Sequence, residues 1–291
     1  MQVSNAMGIL GLKIDVDTYW GMRRGVPLLL QTLKDFQVKG TFFLSIGPDN
    51  SGRAALQLIK NPLFLRKMMR TNAVGLYGWK TAFYGTLLPA PKIALSFPEI
   101  VEDIIAEGHE VQFHAWDHRR WQDELPTKTE KWIRDWFNQG IAGFENLTGN
   151  KPTAFGAPSW LIDDRVLKVI KEYNFAYLSC TRAKAPFIHH GTNIPEIPSD
   201  LPCFEELAAE KAVSVLADLL KTGGIHVLPV HAEVEGGIFN EKFQQLLQNA
   251  LALGYSILPL KEIKTQLSLI NLPIRRYQME LIPGRHSACA V

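Results

Sequence analysis

The feature that most constrains this chain is an apolar segment near its start that ends in two carboxylates. Residues 8–16 have the length and the branched side chains of a strand buried on both faces of a parallel sheet. Asp15 and Asp17 stand at the C-terminal end of that segment, two positions apart. Because bare carboxylates are costly to bury, two side by side need a cation or a role in proton transfer. The pattern predicts an α/β fold with a site at the C-terminal ends of its strands.

Two later apolar segments end in histidines. Residues 110–113 lead directly into His114, with His118 four positions further on, and residues 225–230 lead into His231. The carboxyl ends of parallel strands meet at one edge of a sheet, so we expect these imidazoles to lie close to the two aspartates.

Strand-like and helix-like segments alternate through most of the chain. We predict strands over residues 8–17, 41–46, 110–113, 153–157, 175–179, 225–230 and 255–258. We predict helices over residues 26–36, 97–107, 127–147, 163–173, 204–221 and 239–253, and a last helix from residue 259. Thr127 is the predicted N-cap of the third helix, since Glu130 follows three residues later. This alternation favours one parallel, barrel-like α/β domain over residues 8–265, followed by a C-terminal tail over 266–291.

A long segment interrupts the alternation after the second strand. Residues 48–97 hold seven Lys or Arg residues against one acid, Asp49, together with many apolar and aromatic residues. A simple connection between a strand and a helix takes only ~2–6 residues, so this segment is an insert with a purpose of its own. We expect it to be largely helical and either to contact a lipid surface or to form a lid whose charges are solvated.

Composition excludes several classes of function. The net charge of +2 gives no general basic field for nucleic acid. No apolar run reaches the ~18–20 residues of a membrane span, and no signal peptide is recognisable. Three cysteines without a Cys-x-x-Cys pair suit a reducing compartment, so a cytoplasmic location is expected.

The residues at the strand ends suggest a metal site. Asp17, His114 and His118 offer one carboxylate and two imidazoles, a set that can hold one divalent cation and leave coordination positions open. Zn²⁺, Co²⁺ and Mn²⁺ suit such a set almost equally. An open position lets the ion lower the pKa of a water molecule from ~15.7 toward ~7, as hydrolysis requires. The alternative is that the two histidines are ordinary loop residues.

Two further residues are candidates for proton transfer. Asp15 lies beside the predicted metal and suits a general base that deprotonates water, although it could be a second ligand or an ion-pair partner. His231 suits a general acid that protonates a leaving amine. Glu233 and Glu235 either orient His231 or face solvent, and the sequence leaves both open.

Together these segments resemble the polysaccharide deacetylase family, also called NodB-like or carbohydrate esterase family 4. The resemblance rests on Ile14-Asp15-Val16-Asp17-Thr18, on the His114 and His118 pair, and on the late strand that ends in His231. It implies a distorted (β/α)7-type barrel, one divalent metal ion held by Asp17, His114 and His118, a base at Asp15 and an acid at His231.

The insert narrows the resemblance to family members that act on a lipid-linked sugar. Residues 64–79, together with the segments that start at Lys13, His114 and His231, resemble enzymes that deformylate a formamido-arabinose carried on undecaprenyl phosphate. This implies a role in lipid A modification and polymyxin resistance, at the inner face of the inner membrane. It implies insert contacts with the lipid phosphate and membrane from Arg66, Lys67, Arg70, Lys80, Tyr77 and Trp79.

One departure from the family pattern leaves the partner of Asp15 and the function open. Many members carry an arginine that orients the catalytic aspartate in a segment that corresponds here to residues 155–160, where no arginine occurs. The candidate partners of Asp15 are then Arg23, Arg24, Arg119, Arg165 and Arg182. Deacetylation of another glycan, and a catalytically inert barrel that binds glycolipid, are the rival functions.

Overall fold

A computed structural model describes residues 8–53, 83–267 and 272–291. Its strands are β1 (Gly8–Val16), β2 (Thr41–Ser45), β3 (Glu110–Ala115), β4 (Ala154–Phe155), β5 (Tyr177–Leu178), β6 (Phe187–His189), β7 (Pro195–Glu196), β8 (Gly224–His231), β9 (Tyr255–Leu258), β10 (Ile274–Arg275), β11 (Met279–Glu280) and β12 (Cys289–Ala290). Its α-helices are α1 (Val26–Asp35), α2 (Pro98–Ala106), α3 (His118–Glu124), α4 (Glu130–Thr148), α5 (Asp164–Ile170), α6 (Ala212–Leu220), α7 (Asn240–Ala252) and α8 (Leu260–Gln266).

One curled sheet organises the molecule. Its order is β10-β6-β7-β5-β4-β3-β2-β1-β8, and β9 also pairs with β1. The sheet and its helices form a half-barrel, which confirms the predicted distorted barrel. The prediction of a parallel sheet is wrong at one edge, because β6 and β7 are antiparallel. These short strands, with no apolar alternation, gave no signal in the sequence.

Strand β1 lies between two apolar regions. Leu10, Leu12, Ile14 and Val16 are fully buried in the larger cluster, between the sheet and the outer helices. The opposite side of the sheet holds a smaller cluster, whose buried members are Phe43, Ala154, Tyr177, Ile197, Val227, Leu260 and Ile263. Side chains alternate along a strand, so Lys13 and Asp15 share the side of β1 opposite to that of the leucines.

Three helix predictions are wrong in their boundaries. The helix predicted over residues 163–173 is the shorter α5, which ends at Ile170. The N-cap of α4 is Thr129, whose hydroxyl accepts the N–H of Trp132, whereas Thr127 lies in a preceding 3-10 turn. The helix predicted over residues 204–221 is replaced by a 3-10 turn, Phe204–Glu206, and by the shorter α6. The turn forms because the Glu206 carboxylate accepts the backbone N–H of Cys203 and pairs with the guanidinium of Arg182.

The insert is described only at its two ends, whereas most of the tail is described and forms short strands. Residues 54–82, which include Arg66, Lys67, Arg70, Tyr77, Trp79 and Lys80, lie outside the described residues. At its two described ends the insert is joined by a bridge between Pro48 and Lys92. The tail contributes β10 to the main sheet, and Cys289 and Ala290 in β12 are fully buried. Among the described residues, no helix has both the length and the apolar character needed to cross a membrane.

Candidate active site

Three strand ends bring the predicted site residues together at one mouth of the barrel. In the register of β1 with β8, Asp15 lies opposite His231, and the N–H of Ala232 donates to the carbonyl of Asp15 at 2.9 Å. Strand β3, which is separated from β1 by β2, carries His114 next to its last residue, and His118 is the first residue of α3. His114 and His231 therefore lie at strand ends, and His118 lies in the first turn of the helix that follows β3.

Asp17, His114 and His118 present their ligand atoms to a common point. The Nε2 atom of His114 lies 3.1 Å from one carboxylate oxygen of Asp17, and the Nε2 atom of His118 lies 3.3 Å from the other. All three ligand atoms lie within 4.8 Å of one another. Within the part of the chain that the structure describes, the Asp17 Oδ1 and His114 Nε2 atoms are buried without a hydrogen-bond partner. Because buried polar atoms are rarely left unpaired, these atoms fit the ligand shell of a divalent cation.

The surroundings of His114 fix which nitrogen faces the aspartate. Its Nδ1 lies 2.7 Å from the carbonyl oxygen of Gly156, at the end of β4. A carbonyl oxygen can only accept, so Nδ1 carries the proton and Nε2 presents a lone pair toward Asp17. A hydrogen bond of this kind orients many metal-binding histidines.

Helix α3 holds His118 in place through its first turn. The carboxylate of Asp117 caps the helix by accepting the N–H of Arg120, and it also accepts the side-chain amide of Asn50 at 2.6 Å. Trp121 is fully buried, with its ring centroid 4.3 Å from that of Trp136 on α4. The helix is thus anchored at its cap and on its buried side, so His118 is held by rigid structure rather than by a loose loop.

The charge states of the set suit a metal. Burial lowers the pKa of His118 to about 4, so its imidazole is neutral at neutral pH. Burial would raise the pKa of Asp17, but the imidazoles of His118 and His114 outweigh it and hold that pKa below its ordinary value. Metal ligands must be deprotonated, and these two residues are in the required form.

The partner of Asp15 is a lysine, not one of the five candidate arginines. The ammonium group of Lys13, two residues earlier on β1, contacts both carboxylate oxygens of Asp15. The Lys13 side chain is fully buried, and its Nζ lies 4.9 Å from the ring centroid of Phe43 and 5.4 Å from that of Trp160. Lys13 therefore occupies the cationic role that the family pattern assigns to an arginine.

The arginines themselves are occupied elsewhere or exposed. Arg182 pairs with Glu206, Arg165 pairs with Asp163, and Arg119 pairs with Asp123. Arg23 and Arg24 are exposed on a π-helical turn, Gly21–Gly25.

Asp15 lies beside the metal-binding set but is not a member of it. Its Oδ1 atom is 4.0 Å from Nδ1 of His114, the nitrogen that faces away from Asp17. Asp15 therefore lies beside the set, and the buried ammonium group of Lys13 orients its carboxylate. The geometry favours the base over the alternative of a second ligand.

His231 has a carboxylate partner that the sequence did not reveal. Its Nδ1 lies 2.8 Å from an oxygen of Glu205, and its backbone N–H donates to Glu235 at 2.7 Å. Burial disfavours the imidazolium, but Glu205, Asp17 and Asp15 outweigh it and raise the pKa of His231 well above its ordinary value. These carboxylates therefore favour the protonated imidazole, the form that a general acid needs.

Glu233 and Glu235 do not face solvent. Both are buried, and Glu235 holds the backbone of His231. Burial and the nearby Glu205 raise the pKa of Glu235 to about 8, and burial together with Asp17 raises that of Glu233 well above its ordinary value. Of the two interpretations left open by the sequence, the structure supports contact with His231 for Glu235.

Comparison with known proteins identifies the family to which this chain belongs. The family model described as polysaccharide deacetylase matches residues 12–178, more than half of the chain. The chain belongs to the polysaccharide deacetylase family. Enzymes of this family are hydrolases of amide C–N bonds and generally depend on a divalent metal, and this chain has a residue set that could hold one.

Two curated relatives are similar over nearly the whole chain. Both are named probable 4-deoxy-4-formamido-L-arabinose-phosphoundecaprenol deformylase ArnD. The protein of Shewanella sediminis (strain HAW-EB3) is 34% identical over 260 residues, which cover 87% of this chain and 85% of the relative. The protein of Wigglesworthia glossinidia brevipalpis is 32% identical over 276 residues, which cover 91% and 96%.

A solved structure supports the fold. The crystal structure of a candidate polysaccharide deacetylase from Mycobacterium smegmatis has a TM-score of 0.68 to this chain at 18% identity, and the match covers 97% of each chain. At that identity the likeness shows the shared barrel and leaves the substrate to other arguments.

Proposed function

We propose that this protein is a metal-dependent deformylase. Its substrate is 4-deoxy-4-formamido-L-arabinose linked to undecaprenyl phosphate, on the route that adds aminoarabinose to lipid A and confers polymyxin resistance. The observation that carries the chemistry is the Asp17, His114 and His118 set, together with Asp15 and His231 at the ends of two paired strands. The names of the relatives supply the substrate.

Hydrolysis of the formamide needs a metal ion, a base and an acid. A divalent ion held by Asp17, His114 and His118 supplies polarisation of the carbonyl and acidification of a water molecule when it is bound. We propose Zn²⁺, Co²⁺ or Mn²⁺, all of which this ligand set accepts. Asp15, oriented by Lys13, takes a proton from the attacking water.

The acid completes the reaction. The C–N bond breaks when the departing nitrogen receives a proton, and we propose that His231 gives it. Glu205 is paired with Nδ1 of His231, which leaves Nε2 to donate the proton to the nitrogen. The products are formate and the free amine of the sugar, still linked to its lipid carrier.

Replacing Glu205 with glutamine is expected to move the alkaline limb of the pH–rate profile to lower pH. Glu205 is the strongest influence that raises the pKa of His231, so without its charge the imidazolium loses its proton at a lower pH. The general acid is then lost earlier as the pH rises, and kcat/KM falls earlier. The measurement is kcat/KM for formate release across the neutral and alkaline range.

The matched control for this variant is Glu210→Gln. Glu210 is an exposed glutamate in the same segment, and it should leave the profile unchanged. An unchanged alkaline limb in Glu205→Gln would contradict the proposed role of the pair.

The substrate proposal is tested by comparing two lipid-linked sugars. Metal-loaded protein is incubated with the formamido-arabinose lipid and with its acetamido analogue, and the released acid is identified by mass. We expect formate release with little acetate. Preference for the acetamido analogue would make the protein a deacetylase, whereas binding of the lipid without turnover of either would support an inert binder.

We further propose that the insert docks the protein onto the inner face of the inner membrane. Its described end exposes Phe83, Leu87 and Leu88, with 79% of the Leu87 side chain accessible. Exposed apolar side chains beside cations are typical of interfacial binding. The proposed contacts at Arg66, Lys67, Arg70, Tyr77, Trp79 and Lys80 lie outside the described residues.

Reversing the charges of Arg66, Lys67 and Arg70 is expected to weaken binding to anionic liposomes. Each cation near an anionic surface contributes about 1 kcal/mol, so reversal of three should reduce binding more than tenfold. Binding is measured by liposome co-sedimentation at fixed salt. The control reverses three exposed lysines elsewhere, Lys34, Lys151 and Lys184. Equal binding of both variants and the unmodified protein would rule out docking through the insert.

A further inference from the structure

A second group of metal-binding side chains lies on the other side of His231. Cys203, Glu205 and His231 bring a thiol, a carboxylate and an imidazole within 4.8 Å of one another. Cys203 is fully buried, and the Glu205 side chain is 40% exposed, so the cluster has a closed side and an open side. Sulfur, nitrogen and oxygen donors in this combination are typical of zinc.

Two of the three groups already face each other. The Nδ1 atom of His231 lies 2.8 Å from a carboxylate oxygen of Glu205, so the proton on Nδ1 lies between them. A cation that took the place of this proton would contact the imidazole, the carboxylate and the Cys203 sulfur at once, since the three ligand atoms lie within 4.8 Å of one another.

The local charge also permits a cation. The guanidinium of Arg182 lies 3.9 Å from the Cys203 sulfur, but two hydrogen bonds of 2.8 and 3.0 Å pair it with Glu206. Its charge is therefore already compensated. Glu205 remains as an anion at the cluster, and a thiolate formed on binding would add a second.

We propose that Cys203, Glu205 and His231 form a second, inhibitory site for a thiophilic divalent cation such as Zn²⁺. Binding replaces the proton of the Cys203 thiol and the Nδ1 proton of His231, and both protons pass to solvent. A neutral imidazole that is bound to metal through Nδ1 retains only a weakly acidic proton at Nε2. The residue can then no longer act as a general acid, so metal beyond the first equivalent stops turnover.

The binding part of the proposal is independent of the proposed function, and its test is spectroscopic. Co²⁺ is titrated into the metal-free, full-length protein. The Asp17, His114 and His118 set contains no sulfur, so only the second site can give thiolate-to-cobalt charge-transfer absorption in the near ultraviolet. We expect this band to grow after the first equivalent.

Two serine variants identify the cysteine that gives rise to the charge-transfer band. In Cys203→Ser the band should be absent, while the weaker absorption from the first equivalent and the circular dichroism spectrum persist. In Cys289→Ser, which removes another fully buried cysteine outside the cluster, the band should remain. No band at excess Co²⁺, or a band that persists in Cys203→Ser, would overturn the proposed site.

The inhibitory part rests on the proposed function and is measured as formate release against added Zn²⁺. For the unmodified protein and for Cys203→Ser, the rate at each zinc concentration is compared with the rate of the same protein before zinc is added. Loss of a ligand weakens a metal site by at least about tenfold, so Cys203→Ser should need at least that much more zinc for half inhibition. Equal inhibition of both proteins would overturn the inhibitory role. A cobalt band without any formate release would leave the second site standing and count against the deformylase function alone.

Discussion

Replacing Asp15 with asparagine is expected to lower kcat by about 10²- to 10⁴-fold, the usual contribution of a general base. Asparagine keeps the shape of the side chain but cannot accept the proton of water. Because Asp15 lies outside the Asp17, His114 and His118 set, the variant should still bind one equivalent of metal. The measurement is single-turnover formate release by protein whose metal content has been determined.

Folding and metal content are the controls for this variant. Circular dichroism and bound metal should match the unmodified protein, so that a lost rate reports the chemistry. A variant that is folded and metal-loaded and that keeps a tenth or more of the rate would show that another group is the base. Loss of the metal itself would support the alternative in which Asp15 is a ligand.

Replacing Lys13 with methionine is expected to destabilise the metal-free protein by about 3–5 kcal/mol, because removal of one partner leaves a buried charge without compensation. The side chains of both partners are at most 4% exposed, so solvent cannot screen the loss. The rate of formate release should fall as well, since Asp15 loses the contact that orients it. Stability is measured by urea unfolding.

The double variant Lys13→Met, Asp15→Asn separates the pair from general damage to the barrel. Both groups are then neutral, so much of the stability lost in Lys13→Met should return, and the double-mutant cycle should give a clear interaction energy. A double variant that is destabilised by the sum of the two single variants would show that the ammonium and the carboxylate do not support each other.

Much of the site could be predicted from the sequence because the ends of its strands can be recognised from the pattern of apolar residues. Apolar segments that stop at Asp15, His114 and His231 place those residues at one edge of a parallel sheet, whatever the details of the helices. The helices predicted over residues 26–36, 97–107 and 239–253 agree with α1, α2 and α7 within one residue at each end. The spacing of their apolar residues and the glycines or prolines near their ends were enough to predict the boundaries of these helices.

The charged partners of Asp15 and His231 differ in how well the sequence predicts them. Lys13 was detectable, since it shares a face of β1 with Asp15 and a lysine in a buried strand needs a counter-charge. Glu205 was not detectable, because residues 204–221 have strong helical propensity and would place it on an exposed helix. The ion pair between Arg182 and Glu206 overrides that propensity, and such a contact between distant segments leaves no local pattern.

The cap of α4 shows how a distant contact shifts a boundary. Thr127 and Thr129 both suit an N-cap by local sequence. The guanidinium of Arg165 donates to the carbonyls of Leu125 and Lys128 and so holds the preceding 3-10 turn. The helix therefore begins after Thr129, two residues later than the local pattern predicts.

The central claim is that Asp17, His114 and His118 hold the ion on which hydrolysis depends. Crystals of metal-loaded protein, measured at the absorption edge of that metal, test it directly. We predict an anomalous peak about 2.0–2.2 Å from Nε2 of His114, Nε2 of His118 and a carboxylate oxygen of Asp17. A fully active, metal-loaded protein whose peak lies elsewhere would contradict the account.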